Sequence, residues 1–134
     1  MAEQSLKISK LYKDLDLSFT PNPVTGDVSK KIDANAVKQS LKTLILTNYY
    51  ERLFQPDKGG NLRGLLFEPL SPQVANTITK VIENLIVSYE KRVRLTSVTA
   101  NTQLDYNSYG ITIRYYIIGI EKPQVFNTEL ERLR

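Results

Sequence analysis

The chain of 134 residues, 41% hydrophobic and 24% charged, has the size and composition of a single globular domain. It contains no cysteine and no histidine, which excludes disulfides, zinc sites built from these residues, thiolate nucleophiles and Ser-His relays. The net charge of +4 is scattered along the chain, and neither a membrane-spanning apolar run nor an apolar signal core is present. We therefore expect no nucleic-acid partner, no membrane partner, no metal and no cofactor.

The first part of the chain is predicted to be an extended, irregular N-terminal arm. Two prolines and Gly26 interrupt the stretch TPNPVTGDVSKKID, which favours turns over regular structure. Before it, apolar and polar residues alternate between Leu15 and Phe19, a pattern typical of a short strand. The arm is assigned to residues 1–32, and residues 33–134 are expected to fold as one domain.

Two amphipathic helices are predicted next. Apolar residues recur at helical spacing from Asp33, a candidate N-cap, to about Thr47. The second helix has the clearest start signal in the chain. Ser71 can cap it, and Pro72 occupies the first helical position, where its missing N–H costs nothing. Its broad apolar face is expected to end near Tyr89.

Beyond the second helix the apolar period changes to two, which indicates strands. The apolar parity shifts inside RVRLTSVTANTQ, so a β-bulge is expected near Thr96–Ser97, and LDYNSYG then supplies a turn. Residues 111–120 are β-branched and aromatic with apolar residues on both parities, as in a strand covered on both faces. The tail PQVFNTELERLR is interpreted as a last strand in preference to a short helix.

This order of elements predicts an α+β domain. Two main helices and a short third helix pack on one small, mostly antiparallel sheet, and the N-terminal arm extends from it. So small a sheet leaves an edge with unpaired N–H and C=O groups, which is a template for a strand of another chain.

The segment at residues 48–72, NYYERLFQPDKGGNLRGLLFEPLSP, has the residue types of an active site. Glu51 and Glu68 could supply the two carboxylates of a glycosidase such as a peptidoglycan hydrolase. However, a chain with 14 acidic residues offers many such pairs, and tryptophan, which stacks on sugars, is absent. The glycines lack the GK[ST] continuation of a phosphate loop, and the carboxylates lack the alternating spacing of a calcium loop.

A rigid corner explains the same segment better. Gly59 permits a turn where a side chain would clash, and Pro56 stiffens the chain before it. A short helix is then expected to bury Phe67. Glu68 is expected to bond locally to the backbone or to an arginine instead of lining a cleft.

The stretch LKTLILTNYYERLFQPDKGGNLRGLLFEPLSP resembles the baseplate wedge and sheath-initiator family of contractile phage tails. The type member of this family is the T-even gene-twenty-five product, and the family is also called GpW/lysozyme-like. Its pattern is a leucine-rich helix, Thr, Glu-Arg, Pro, Gly and Leu-x-x-x-Leu-Phe-Glu. The residues that match it in order are Leu41, Leu44, Thr47, Glu51, Arg52, Pro56, Gly59, Leu62, Leu66, Phe67 and Glu68. The resemblance covers most of residues 27–120.

The resemblance implies a structural protein, not an enzyme, that helps to start the tail sheath. Its partners would be other baseplate wedge proteins and the tail sheath protein, with no small-molecule substrate. It would be part of the tail baseplate of a virion that is assembled in the bacterial host cytoplasm. A baseplate subunit of a type VI secretion system or a related contractile injection system is the nearest alternative, because it shares these motifs.

The resemblance also implies two sets of partner-binding residues. The family's Glu-Pro-Arg between the long helix and the first strand is replaced here by Glu90, Lys91 and Arg92, which are expected to dock onto other wedge proteins. An equally good interpretation of the basic pair is a favourable interaction with the helix dipole. The strand expected to face the sheath carries Ile111, Ile113, Tyr115 and Ile117.

Overall fold

A computed structural model describes residues 12–133 and has the expected α+β fold. Along these residues it forms three helices and two antiparallel sheets. The elements are β1 (Lys13–Leu15), β2 (Lys30–Ile32), α1 (Asp33–Leu46), α2 (Leu62–Leu66), α3 (Pro72–Tyr89), β3 (Val93–Gln103), β4 (Ser108–Ile117) and β5 (Ile120–Glu131). Within this range, no helix has both the length and the hydropathy to cross a membrane.

The larger sheet is an antiparallel meander in the order β3–β4–β5. Its first ladder shifts register between Leu95 and Ser97, which confirms the β-bulge expected there. A second irregularity lies between Tyr115 and Ile117, where β4 pairs with β5. The tail forms β5, so the preference for a strand over a helix is confirmed.

Helix α3 begins and ends where its sequence predicts. The Ser71 hydroxyl oxygen accepts a hydrogen bond from the Val74 N–H at 3.2 Å, and Pro72 is the first helical residue. The last residue is Tyr89. The buried side chains recur at helical spacing and are Val74, Ala75, Ile78, Ile82, Leu85 and Ile86.

Helix α1 starts without a side-chain cap. Asp33 is its first residue, and Ile32 occupies the cap position, so the prediction that Asp33 is the N-cap is wrong. Asp33 instead contacts Tyr12: its N–H donates to the Tyr12 carbonyl oxygen at 2.8 Å, and its Oδ1 accepts from the Tyr12 N–H at 3.4 Å. Because Tyr12 directly precedes β1 and Asp33 is the first residue of α1, these hydrogen bonds connect the beginning of β1 to the helix.

The described part of the N-terminal arm is a β-hairpin and not an irregular segment. β1 pairs with β2, and a further bridge joins Pro21 to Val28. Gln39 connects α1 to the hairpin through two hydrogen bonds. Its side-chain amide donates to the Leu15 carbonyl oxygen at 2.8 Å and accepts from the Leu17 N–H at 3.2 Å. The prolines and Gly26 do mark turns, as the sequence predicted, and these turns lie between the two strands of the hairpin.

The core lies between the helices and one face of the larger sheet. Its fully buried large side chains include Leu41 of α1, Ile82 of α3 and Tyr109 of β4. On the opposite face of the sheet, Tyr116 and the following Ile118 are exposed. The prediction that this strand is covered on both faces is therefore wrong, because the apolar residues of the second parity lie in solvent.

Candidate protein-interaction surfaces

The strand expected to face the sheath lies at the centre of the sheet. β4 pairs with β3 on one side and with β5 on the other, so it has no free edge. The sequence prediction assigned four side chains of this strand to a sheath partner, but all four are buried in the core: Ile111, Ile113, Tyr115 and Ile117. The most apolar and β-branched strand of a small sheet is the one most suited to burial, which explains the misassignment.

The free edges of the sheet belong to β3 and β5. Among the described residues each of these strands pairs only with β4. Within the described residues, the main chains of Val93–Gln103 and Ile120–Glu131 form no backbone hydrogen bond outside their ladders with β4. Their outer N–H and C=O groups are thus available to water or to a partner strand.

A charged network joins three elements where α3 meets β3. The Glu90 side chain is only 6% exposed, and its carboxylate accepts hydrogen bonds from Arg92 Nε at 2.8 Å, Arg92 Nη2 at 3.1 Å and Ser40 Oγ at 2.6 Å. Arg92 Nη1 also donates to Asp14 Oδ2 at 3.3 Å. The network therefore fastens β1 and α1 to the end of α3.

The network limits what this junction can offer a partner. Burial acts to raise the pKa of Glu90, but hydrogen bonds from Arg92 and Ser40 outweigh it and hold the pKa below its usual value. The Arg92 pKa is raised, mainly by its hydrogen bond to Glu90. Of the three residues expected to dock, only Lys91 is exposed; its Nζ lies 3.4 Å from the Val87 carbonyl oxygen.

Residues 47–60, which we call the corner loop, form a closed loop after α1. Asn48 donates from its N–H and from its side-chain amide to the two carboxylate oxygens of Glu51, each at 2.9 Å. Gly59 has φ 132°, and a β-carbon there would lie 2.6 Å from the Thr47 carbonyl oxygen. The loop thus needs glycine at its neck.

Two further members of the sequence motif act through their main chains. The Pro56 carbonyl oxygen accepts from the Tyr50 N–H at 2.9 Å, and the Arg52 carbonyl oxygen accepts from the Gln55 N–H at 3.3 Å. These hydrogen bonds fold the corner loop back on itself. The side chain of Arg52 is left exposed.

The contacts of Glu51 and Glu68 do not favour the glycosidase alternative. The backbone N–H and the side-chain amide of Asn48 lower the pKa of Glu51, whereas glycoside hydrolysis requires one carboxyl group with a raised pKa. Glu68 is exposed, and its carbonyl oxygen accepts a hydrogen bond from Arg132 Nε at 3.1 Å. Glu51 thus makes a local side-chain contact, whereas Glu68 is held through its main chain by a distant arginine.

Phe67 is not part of the core. Its side chain is 53% exposed, whereas α2 buries Leu62 and Leu66, so the prediction that Phe67 is buried is wrong. Leu62 and Leu66 are four residues apart and share one helix face, while Phe67 follows the helix and points away from that face. Its truncation should therefore cost far less than the loss of a core aromatic residue.

The corner loop carries an apolar tip that the sequence patterns did not predict. Tyr50, Leu53 and Phe54 are 83%, 86% and 99% exposed. Tyr50 and Phe54 adopt φ values of 65° and 66°, a region that bulky residues rarely occupy. One sequence signal was available: three large apolar residues lie in a turn-rich segment without the spacing of a buried helix or strand face.

The chain matches the family described as baseplate wedge protein gp25 over residues 32–121. Baseplate wedge protein gp25 of Enterobacteria phage T4 is 32% identical over 111 residues, which is 83% of each chain. The family resemblance noted in the sequence is therefore confirmed.

Solved structures share the fold. A chain of the anti-feeding prophage baseplate has a TM-score of 0.64 at 22% identity, covering 92% of this chain and 87% of that one. A chain of the postcontracted pyocin R2 baseplate has a TM-score of 0.52 at 15% identity, covering 84% and 96%. A putative tail lysozyme from Geobacter sulfurreducens has a TM-score of 0.67 at 19% identity, covering 73% and 89%. The structures show the fold, and the sequence matches show that the chain belongs to the baseplate wedge protein gp25 family.

Proposed function

We propose that this protein is a non-enzymatic subunit of a contractile-tail baseplate that starts the sheath by accepting a strand from a sheath subunit. The observation that carries the proposal is the unpaired outer edge of β3 at Val93–Gln103. Strand addition gains affinity from main-chain hydrogen bonds and requires little side-chain specificity. A sheath subunit can therefore pair with a wedge protein of a different sequence.

The edge of β3 suits strand addition better than the edge of β5. β5 contains Pro123 and four charged residues, Glu121, Lys122, Glu129 and Glu131, and prolines and charges are common devices against unwanted edge pairing. β3 contains no proline and no carboxylate, and Arg94 is its one charged residue. Its edge is therefore the less protected template.

The ladder pattern indicates which main-chain groups point outward. The Ile118 N–H donates to the Arg92 carbonyl oxygen at 2.9 Å, so the main chain of Arg92 faces β4. From there along β3, successive residues direct their N–H and C=O groups alternately toward β4 and toward the open edge, and the bulge inserts one extra residue into this alternation. Ala100, opposite Ile111, then presents its N–H to the open edge of β3, and Asn127, opposite Thr112, does so on β5.

The rest of the molecule is proposed to hold the baseplate. Residues 93–134 form the half that faces the sheath, while the helices and the N-terminal hairpin face other baseplate wedge proteins. Exposed Lys91 supplies a docking charge at the junction, and the network of Glu90 and Arg92 fixes the junction's shape. This proposal places the protein in the tail baseplate and requires neither a nucleic acid nor a small-molecule substrate.

The test is Ala100→Pro, introduced into the chain in its own phage or phage-like particle. Proline removes the outward N–H and blocks the edge with its ring, so electron microscopy should show complete baseplates and tubes without an ordered sheath. Asn127→Pro is the matched control on the other edge and should leave the sheath normal. Normal sheaths on particles that contain Ala100→Pro would contradict the proposal, and a sheath lost only with Asn127→Pro would contradict the choice of edge.

A further inference from the structure

The tip of the corner loop exposes more apolar surface than a free loop requires. Tyr50, Leu53 and Phe54 project from one short loop, and their side chains are almost entirely accessible to solvent. Surface loops are usually polar at such positions, and clustered exposed apolar side chains mark sites of interaction. Aromatic and arginine side chains also dominate the binding energy of protein interfaces, and Arg52 lies within the same cluster.

The backbone under the tip is held in place. The Gly60 N–H donates to the Thr47 carbonyl oxygen at 3.2 Å and closes the neck of the loop. The Tyr89 hydroxyl donates to the Asp57 carbonyl oxygen at 2.8 Å and fixes the far side to α3. The tip is thus presented by a pre-organised loop, which reduces the entropy lost on binding.

The backbone conformation turns two of the rings outward. Tyr50 and Phe54 lie in the left-handed region, where bulky residues are rare. Strained conformations of this kind persist where the surrounding structure enforces them, and they cluster at functional sites. Among residues 12–133, no apolar contact explains the strain at Phe54, because its side chain is 99% exposed.

The charges around the tip favour an acidic partner. Arg52, Lys58 and Arg63 stand against two carboxylates, Glu51 and Asp57. The carboxylate of Glu51 is turned back onto Asn48 by two hydrogen bonds, and the Lys58 ammonium lies over the Tyr89 ring. Two exposed cations, Arg52 and Arg63, then face outward with one exposed carboxylate, Asp57. A complementary surface would carry an apolar hollow surrounded by carboxylates.

We propose that the corner loop docks Tyr50, Leu53 and Phe54 into an apolar, acid-rimmed hollow on a different subunit of the same baseplate. The inference rests on the proposed function and identifies the element of the helical side that holds the baseplate. The exposed cations would also be attracted to an anionic membrane surface, but a protein partner is favoured because the chain belongs to a family of baseplate wedge proteins. A different subunit is favoured over a second copy of this chain because the exposed cations would meet their own like charges.

The first experiment replaces the tip by polar residues in the assembled particle. Leu53→Ser with Phe54→Ser should reduce incorporation of the chain into purified baseplates by about 30-fold, the effect of losing a central interface residue. Leu104→Ser is the matched control, since Leu104 is 77% exposed but lies in the turn between β3 and β4, on the half proposed to face the sheath. All variants should unfold at the wild-type temperature, because none of these side chains contributes to the core.

The second experiment identifies what the tip touches. A photo-crosslinking benzoylphenylalanine at position 54 should form a covalent adduct with another baseplate protein in purified particles, and the same probe at position 104 should not form that adduct. Normal incorporation of the double variant would overturn the docking inference, as would an adduct with a second copy of this chain. Binding of the isolated wild type to phosphatidylethanolamine–phosphatidylglycerol vesicles, lost with the double variant, would overturn it in favour of a membrane.

The two proposals fail in different ways. If wild-type chain is absent from purified baseplates, the proposed function is wrong and the docking inference falls with it. If wild-type chain is present and the tip variants are incorporated equally well, only the docking inference is wrong.

Discussion

Arg92→Ala is expected to lower the free energy of unfolding of the isolated protein by about 3 kcal/mol, the lower part of the range for breaking a buried ion pair. Arg92 supplies two of the three side-chain hydrogen bonds to the carboxylate of Glu90, and that side chain is almost fully buried. Removal of the guanidinium would leave a buried carboxylate with Ser40 as its remaining side-chain partner. It would also release Asp14 of the N-terminal hairpin.

Urea denaturation of the isolated chain measures this loss, and Arg94→Ala is the control. Arg94 is exposed on β3, two residues further along, so its replacement should change the free energy of unfolding by less than about 0.5 kcal/mol. A loss of stability limited to Arg92→Ala would assign the pair to internal structure. An Arg92→Ala protein of wild-type stability that fails to enter baseplates would instead restore the docking role expected from the family resemblance.

The same ion pair should make stability depend on pH. The pKa of Glu90 is held below its ordinary value of 4.5 in the folded protein, so the pair contributes fully above that pH. Its contribution is lost as the pH falls through the lower, folded-state pKa. In Arg92→Ala, burial without the arginine would favour the protonated carboxyl group. The stability gap between wild type and Arg92→Ala should therefore begin to narrow above pH 4.5, where the raised pKa of the variant lets its carboxyl group take up a proton, and should keep narrowing until the pH falls through the lower folded-state pKa of the wild type. A gap that stays constant into acid would contradict this role for Glu90.

The sequence predicted the elements whose signals are local. Ser71 and Pro72 define the start of α3 because capping and the missing proline N–H depend on a few neighbouring residues. The bulge before Ser97 was visible because one extra residue shifts the parity of every apolar position after it. The motif of the corner likewise indicated the family, because its residues follow one another in a fixed order along the chain.

The predictions that failed depend on which surfaces meet in three dimensions. Ile113 and its neighbours mark a strong strand, but strand strength does not indicate whether a strand lies at the edge or the centre of a sheet. The docking role expected of Glu90 and Arg92 stays a prediction, because the sequence could not show that the fold brings Ser40 and Asp14 into one network with them. Phe67 is one residue beyond the buried face of α2, a difference within the usual uncertainty of helix ends.

Gly59→Ala is expected to destabilise the protein by about 3 kcal/mol or more, because strain and a steric clash add at one position. Gly59 has φ 132°, a conformation that residues with a β-carbon rarely adopt. An added β-carbon would lie 2.6 Å from the Thr47 carbonyl oxygen and 2.9 Å from the Asn48 carbonyl carbon. Both contacts are with backbone atoms, so relief requires the neck of the corner loop to open.

Gly26→Ala separates these two causes and provides the matched control for that experiment. Gly26 also has a positive φ, 71°, but an added β-carbon would find nothing within 4 Å. Its replacement should cost about 1 kcal/mol through backbone strain alone. Thermal and urea unfolding of the isolated variants measure the difference, and equal losses would show that the neck of the corner loop yields easily. If the neck instead resists, Gly59→Ala should also disturb the tip that it supports. A variant kept folded at low temperature should then enter baseplates as poorly as the Leu53→Ser and Phe54→Ser protein.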